Sequence, residues 1–287
     1  MFEKVNPSHP DKIADRIAGA IVDLAYKLEK EPKVAVEVLI GHGKCNVIIE
    51  SSVVFEPKEL SDIVKRITGR DDWELDITTI AQDEKLAKNQ EKQVKCGDNG
   101  IFKGVRQNYT ETILSDTVRK LYKKYPTDGK FILNCESGQL IACQSSGKSK
   151  EIKADLAKLI KRKVPDCYIL VNPLGEWTGG TDVDTGATNR KLGSDMGRAV
   201  TGGGLHGKDL SKADVSVNIM CHILAKKCRT KVESFVAIGD DEVEFRIYDE
   251  FGNFRPYYET YPEVVRKAGK YVKKLGGFEK LAEWGLI

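Results

Sequence analysis

The sequence predicts an α+β fold built from three pseudo-symmetric units, each with the order helix, strand, strand, helix, strand. Apolar residues recur at helical spacing in the helices, and short glycine-containing turns join the paired strands. The leading helices of the three units start roughly a hundred residues apart, which indicates an internal repeat. A small sheet with helices on one face needs its other face covered, by another unit or by a partner chain. We therefore expect packed sheets with helices outside, in units that interlock rather than fold independently.

The first unit is predicted to span residues 1–109 and to contain a hairpin, a gate-like polar segment and a Gly-Asp-Asn-Gly loop. Ser8 is a suitable N-cap for its leading helix, and Asp11 takes the third position of a capping box. Glu37 and Glu50 interrupt the apolar strands of the hairpin, so they are buried, satisfied by partners or functional, although a lone strand glutamate most often lies at a solvated edge. The predicted elements are a helix at 8–28, strands at 34–41 and 45–55, a helix with Leu60, Ile63, Val64 and Ile67 on one face, and a strand at 75–81.

The second and third units repeat this order. The second is predicted at residues 110–210 and ends in a glycine-rich loop, and the third is predicted at 211–287. In the second unit we expect helices at 110–125 and 150–163, with strands at 130–135, 139–144 and 167–172. In the third unit we expect a helix at 211–228, strands at 232–239 and 243–250, and a helix that begins near Pro262.

Composition limits the classes of function. The net charge of +3 creates no strong field for nucleic acid or for an anionic membrane surface. The seven cysteines include no CxxC pair and no zinc-ligand spacing, which fits reduced thiols in a cytoplasmic protein. No apolar run has the length that a membrane span needs. We therefore expect a cytoplasmic protein without nucleic-acid or membrane partners.

Glycine recurs throughout residues 177–214, together with both acidic and basic side chains. Glycine lets backbone amides approach a ligand closely, while lysine and arginine neutralise phosphate oxygens. Carboxylates at such a site commonly hold the magnesium that accompanies a polyphosphate. This composition predicts a polyphosphate-binding loop. Asp11 and Asp214 take equivalent positions near the starts of the first and third leading helices, where each could cap its helix or hold a cation.

Several motifs together resemble the S-adenosylmethionine synthetase (methionine adenosyltransferase) family. They are VNPSHPDKIADRI, CGDNG, VNPLGEWTGG, DTGATNRK and GGGLHGKDLSKAD, and their order agrees with the family from the first residues to about Gly239. The family's fold also has three pseudo-symmetric α+β units. The chain ends soon after the third unit, so the resemblance is to a short form.

The resemblance implies a reaction, cofactors and partners. The sulfur of methionine attacks C5′ of ATP, and the released triphosphate is hydrolysed to pyrophosphate and phosphate. Catalysis of this kind rests on positioning and on charges aimed at the leaving group. The resemblance further implies two Mg²⁺ ions, K⁺, ATP and methionine as substrates, and a homodimer or dimer of dimers with shared active sites.

The resemblance also assigns roles residue by residue. It implies catalytic roles for His9, Lys130, Arg190 and Lys208. It implies ATP and triphosphate binding by Lys12, Asp128, Lys130, Trp177, Asp184, Arg190, Lys191 and Lys208. It implies methionine binding by Glu50, Gln82, Asp98, Asp184 and Lys212, magnesium ligation by Asp11 and Asp214, and potassium ligation by Glu37.

The chain departs from the family pattern at several positions. Thr201 stands where the family has a histidine before the triple glycine, and His206 lies inside the loop instead. Asn99 replaces a glutamine, and Val215 replaces an arginine. The gate-like segment 82–96 is polar and short. These departures bear on rate, gating and substrate selectivity.

Two other functions remain open from the sequence. Residues 202–208 fit the GxxxxGK pattern of a P-loop NTPase, but Asp209 stands where a magnesium-binding Ser or Thr belongs. A non-catalytic nucleotide- or S-adenosylmethionine-binding module would explain the compressed glycine-rich segment. It would not need the cations of a full triphosphate site.

Overall fold

The computed structural model describes residues 1–90 and 92–287 and contains three four-stranded sheets within them. Glu91, in the predicted gate-like segment, lies outside the described residues. In the first third of the chain the elements are β1 (Phe2–Val5), α1 (Pro10–Leu28), β2 (Val34–Gly41), β3 (Lys44–Ser51), α2 (Pro57–Thr68), β4 (Glu74–Ala81), α3 (Glu84–Asn89) and β5 (Gly100–Gly104).

The rest of the chain confirms the α+β class. The middle elements are α4 (Tyr109–Tyr122), β6 (Gly129–Asn134), β7 (Gln139–Gln144), α5 (Ser149–Ile160), β8 (Tyr168–Val171), β9 (Gly186–Ala187) and α6 (Leu192–Met196). The last elements are α7 (Ala213–Cys228), β10 (Val232–Val236), β11 (Glu242–Tyr248), β12 (Phe254–Thr260), α8 (Tyr261–Leu275) and α9 (Phe278–Trp284).

The first two units repeat in detail. In each, an antiparallel hairpin (β2–β3, β6–β7) is followed by a helix and then by a parallel third strand, β4 or β8. The third unit differs from the prediction because β12 pairs antiparallel with β11 directly and no helix separates them. Strand β12 is rich in exposed aromatic and charged side chains, which mask the alternation expected of a strand.

Each sheet takes its fourth strand from a distant part of the chain. Strand β1 pairs with β6, β9 with β2, and β5 with β10, all antiparallel. The first sheet has the strand order β4-β3-β2-β9, the second β1-β6-β7-β8 and the third β12-β11-β10-β5. Strand β1 of the first unit thus joins the second sheet, and β9 of the second unit joins the first sheet. This exchange interlocks the units, and it brings the segment around β9 against the start of α1.

One face of each sheet packs on helices, and the opposite faces of two sheets carry exposed apolar residues. The outer face of the first sheet exposes Leu39, Ile48 and Ile80. The outer face of the third sheet exposes Ile101, Phe235, Phe254 and Tyr258. Apolar patches of this kind commonly mark interaction surfaces.

None of the described helices combines the length and apolar character that crossing a bilayer requires.

The cap of α1 differs from the prediction. His9, not Ser8, is the N-cap, and its Nδ1 accepts a hydrogen bond from the backbone N–H of Asp11 at 3.2 Å. Pro10 occupies the first helical position, which favours a start immediately before it. The Ser8 hydroxyl instead lies 2.8 Å from the Tyr122 hydroxyl. This cap fixes the ring of His9 at the end of the helix.

His222 on α7 makes the fold sensitive to acid. Burial lowers its pKa to about 4, and nearby Lys226 acts in the same direction. The ring packs edge-on against Tyr271 of α8, and Arg106 and Arg229 line the same small cavity. Between about pH 6.5 and pH 4 the unfolded chain binds a proton that the folded chain does not. Stability therefore falls as the pH falls through this window.

We expect acidification from pH 7 to pH 4 to cost the wild type more stability than the variant His222→Gln, by up to about 3 kcal/mol. Urea unfolding at several pH values and one fixed protein concentration measures the difference. Parallel stability curves for the two proteins would contradict the buried neutral histidine.

Candidate active site

A cavity of about 510 Å³ lies between the start of α1, the strands β6 and β7, and the segment that follows β8. It contains eight of the residues assigned from the sequence. Its lining is His9, Asp11, Asp128, Lys130, Cys143, Asn172, Pro173, Leu174, Gly175, Glu176, Trp177, Asp184, Arg190 and Lys191. Acidic, basic and aromatic groups from three parts of the chain therefore share one concave space.

The tautomer of His9 follows from its hydrogen bond. Because Nδ1 accepts the N–H of Asp11, that nitrogen carries no proton, and the proton of the neutral ring lies on Nε2. Burial lowers the pKa of His9 to about 4. Asp11 opposes this shift, whereas Lys191 and Lys130 add to it. The ring is a neutral hydrogen-bond donor at the cavity.

Asp11 is held by groups from the β9 segment. Its Oδ1 accepts a hydrogen bond from Ala187 N–H at 2.9 Å, and its Oδ2 lies 3.1 Å from Lys191 Nζ. Arg190 Nε lies 3.5 Å from Oδ1. This approach requires glycine at 186, where a Cβ would lie 2.0 Å from the carbonyl oxygen of Pro10. The carboxylate is almost fully buried and neutralised by cavity-lining cations.

Asp128 and Lys130 enter the cavity from the start of β6. Asp128 Oδ2 accepts the N–H of Gly180 at 2.8 Å, while Oδ1 is buried without a hydrogen-bond partner among the described residues. Burial raises the pKa of Asp128 to about 6, although the hydrogen bond from Gly180 acts in the opposite direction. The nearby carboxylates of Asp184 and Asp11 add to the rise. Lys130 pairs with Glu3 at 3.1 Å. The unpartnered oxygen is suited to a donor group or a cation of a ligand.

Lys12 does not line the cavity, in contrast to the sequence prediction. Its side chain is 1% exposed, and Nζ lies 2.7 Å from Asp195 Oδ1 and 3.0 Å from Asp15 Oδ2. Its charge is therefore used inside the protein, so triphosphate binding by Lys12 does not fit this structure. Asp15, Asp195 and His206 lie close enough together to hold a metal ion, but the ammonium of Lys12 already contacts all three.

The other predicted site residues lie outside this cavity. Lys208 and Asp214 form an ion pair at the start of α7, and both are largely buried. The loop carrying Asp98 contacts the loop carrying Lys212, where Gly97 N–H donates to Ser211 C=O at 3.2 Å. These residues form a second group, and none of them lines the first cavity.

The remaining three lie on or beside the first sheet. Glu37 and Glu50 are exposed on its outer face, and the Thr188 hydroxyl donates to Glu37. Gln82 follows β4, and its Oε1 is buried without a hydrogen-bond partner among the described residues. The two strand glutamates are therefore not buried, because both lie on the uncovered face of the sheet.

The loop at 202–208 lacks P-loop geometry. In a P-loop, a parallel strand leads into the glycines and a helix begins directly after the lysine. Here a 3₁₀ turn at Gly197–Ala199 precedes the glycines, and α7 begins only at Ala213. Gly207 has a positive φ of 79°, and a Cβ there would lie 2.2 Å from the Val36 carbonyl oxygen. Gly207 therefore serves close packing against β2.

Sequence reasoning missed two polar residues at the cavity. Asn172 has a positive φ, and its side chain bonds the backbone of Gln144 in both directions, at 2.9 Å and 3.0 Å. Glu176 lines the cavity beside Trp177. Both belong to the motif VNPLGEWTGG, so the available signal was the motif as a whole rather than its aromatic residue alone.

Comparisons with known proteins show which proteins this chain is similar to. The family profile of the S-adenosylmethionine synthetase N-terminal domain matches residues 1–96. An S-adenosylmethionine synthase from Mycoplasma capricolum is 29% identical, over 88% of this chain and 77% of that protein. One from Aquifex aeolicus is 26% identical, over 93% of this chain and 85% of that protein.

The fold has a solved counterpart. The structure of an unusual S-adenosylmethionine synthetase from Campylobacter jejuni superposes with a TM-score of 0.77 at 21% identity. The match covers all of this chain and 95% of the other. The resemblance predicted from the sequence is therefore confirmed: the first 96 residues match the family's N-terminal domain, and most of the chain is similar to S-adenosylmethionine synthases.

Proposed function

We propose that this protein forms S-adenosylmethionine from ATP and methionine and hydrolyses the released triphosphate to pyrophosphate and phosphate. The observation that carries the proposal is the cavity, where a neutral histidine donor, an aromatic ring, buried carboxylates and three cations converge. Methionine adenosyltransfer needs this combination because its leaving group is a highly charged chain of phosphates.

In the first step the methionine sulfur forms a bond to C5′ while the bond from C5′ to the triphosphate oxygen breaks. The electron pair of that bond goes to the departing oxygen, and the sulfur becomes a sulfonium. The sulfur is already nucleophilic, so the chain needs no general base here. Its contribution is to hold the two substrates in line and to stabilise the oxygen that gains charge.

The residues of the cavity have distinct roles in this proposal. His9 donates its Nε2–H to the departing oxygen. Lys130, Arg190 and Lys191 bind the triphosphate, and Trp177 lies against the adenine. Asp128 presents its unpartnered oxygen to the nucleotide, and Asp184 contacts substrate at the exposed edge.

The carboxylates fit the metals that the proposal requires. Asp11 offers hard oxygen ligands beside the phosphate-binding cations, as magnesium prefers, and Asp214 does the same beside Lys208. Magnesium, when bound, supplies positive charge that offsets the negative charge of the triphosphate. Glu37 offers an exposed carboxylate for potassium on the outer face of the first sheet. Each acid is paired with a lysine or hydroxyl that a cation can replace.

The division of the predicted residues into two groups supports a shared site. The cavity holds one set of phosphate-binding cations, whereas Lys208, Lys212, Asp98 and Glu50 lie elsewhere on the chain. A second copy that covers the exposed apolar sheet faces could supply these residues to the first copy's cavity. We therefore propose a homodimer in which each site uses both chains, as a self-complementary two-fold contact allows.

Product analysis tests the function. With ATP, methionine and Mg²⁺, we expect S-adenosylmethionine, pyrophosphate and phosphate in equal amounts, and no adenosyl product when methionine or the metal is omitted. Phosphate release from ATP without methionine would indicate an NTPase instead. If no product forms while ATP or S-adenosylmethionine binds, the protein is a binding module and the proposal fails.

A further inference from the structure

A buried ion cluster joins the two chain segments that carry the cavity's acid and its cations. Lys12 directly follows Asp11, and Asp195 lies one helical turn after Lys191, whose carbonyl accepts the Asp195 N–H at 3.1 Å. The same two segments are therefore bridged twice. Asp11 pairs with Lys191 at the cavity, at 3.1 Å, and Lys12 pairs with Asp195 inside the protein, at 2.7 Å.

Asp195 also connects this cluster to two other parts of the chain. Its Oδ2 lies 2.9 Å from His206 Nε2, two residues before Lys208. Its carbonyl oxygen accepts the backbone N–H groups of Leu286 and Ile287, at 2.8 Å and 3.1 Å. Its side chain is 1% exposed. The start of α1, the segment of Lys191, the glycine-rich loop and the end of the described chain are all tied to this one residue.

The two bridges behave differently when a polyphosphate binds. The ammonium of Lys191 has three donors, so a bound phosphate competes with Asp11 for it and the cavity bridge is open to exchange. The Lys12–Asp195 bridge is shielded from solvent, because both side chains are 1% exposed, and charges attract strongly where the dielectric is low. It stays formed while its neighbour opens.

We infer that Asp195 is a positioning residue of the polyphosphate site: its ion pair with Lys12 holds Asp11 and the Arg190–Lys191 segment at the separation that the ligand bridges. The inference rests on the proposed function. Asp195 itself does not line the cavity, so its effect on a ligand passes through Asp11, Arg190 and Lys191. Without the buried pair, part of the binding free energy of the ligand would be used to bring Asp11 and the Arg190–Lys191 segment to this separation, so the ligand would bind more weakly.

The test is tripolyphosphate binding in the presence of Mg²⁺, measured by calorimetry at a temperature where each variant is fully folded. We expect Asp195→Asn to weaken binding at least tenfold. Because the loss of one of the two acids that pair with the buried Lys12 destabilises the fold, the double variant Lys12→Met/Asp195→Asn removes both members of the Lys12–Asp195 pair and is expected to weaken binding as well. For both, KM for ATP should rise.

Asp23→Asn is the matched control. Asp23 is a half-buried carboxylate, which accepts the N–H groups of Phe278 and Glu279 at the start of α9 and does not line the cavity. It should lower the melting temperature and leave tripolyphosphate affinity unchanged. Equal affinity in the wild type and both Asp195 variants would overturn the positioning role. Absence of binding to the wild type would overturn the proposed function instead.

Discussion

Replacing Lys208 by alanine should slow S-adenosylmethionine formation by about 30- to 1,000-fold, because one lost cation at a developing anion costs about 2–4 kcal/mol. Lys208 is mostly buried but belongs to no packed apolar core, and its ammonium pairs with Asp214. The chain should therefore stay folded. Steady-state rates at saturating ATP and methionine, with circular dichroism, measure both effects.

Mixing inactive variants extends this prediction to the shared site. Arg190→Ala, in the first group, should be as inactive as Lys208→Ala, in the second. If each site draws one residue from each chain, a mixed dimer has one intact site. Random exchange of subunits should then restore about a quarter of the wild-type activity.

Lys227→Ala is the control for these variants. Lys227 is an exposed lysine in the last turn of α7, away from the cavity, and its loss should leave the rate unchanged. Near-wild-type turnover of Lys208→Ala would discard the triphosphate role of this residue. Failure of the mixture to regain activity, after subunit exchange has been verified, would place both residues in one chain's site.

Asp11→Asn should raise the magnesium concentration needed for half-maximal activity at least tenfold. The asparagine oxygen can still accept the N–H of Ala187, so the local fold is kept while the charge is lost. The same change frees Lys191 from its resting partner. Tripolyphosphate should therefore bind the variant without metal at least as well as it binds the wild type, and added Mg²⁺ should help less.

Asp166→Asn, at an exposed carboxylate, provides the control and should leave the magnesium titration unchanged. We expect Asp214→Asn to behave as Asp11→Asn does, because both acids pair with a phosphate-binding lysine. Unaltered titrations for both variants would mean that the two acids only stabilise their helices.

The elements that the sequence predicted well are those fixed by local patterns. The two hairpins and their following parallel strands could be read from apolar spacing, because each strand buries one face under a helix. Strand β9 could not, because it has only two residues and its partner, β2, lies far away in the sequence. Such a strand has no local signal.

The site shows the same division. His9 and Asp11, which share a motif, both line the cavity, but the position of Lys12 depends on Asp195, 183 residues away. A lysine beside a predicted metal ligand was expected to face the ligand. Whether the Lys12 side chain reaches a ligand or the protein interior depends on which side of α1 faces the core. One of the two buried acids that pair with Lys12, Asp195, belongs to a helix that is distant in sequence.

The exchange of edge strands also shapes how this chain can be divided. A cut in the loop between α4 and β6 would place β1 and its partner strand β6 on different pieces of the chain, although the two strands are paired in the fold. The pieces would stay associated through backbone hydrogen bonds, and neither would be a stable protein alone. Gene fusion, truncation or circular permutation at the borders of the repeats would therefore have to respect partners that are more than a hundred residues apart.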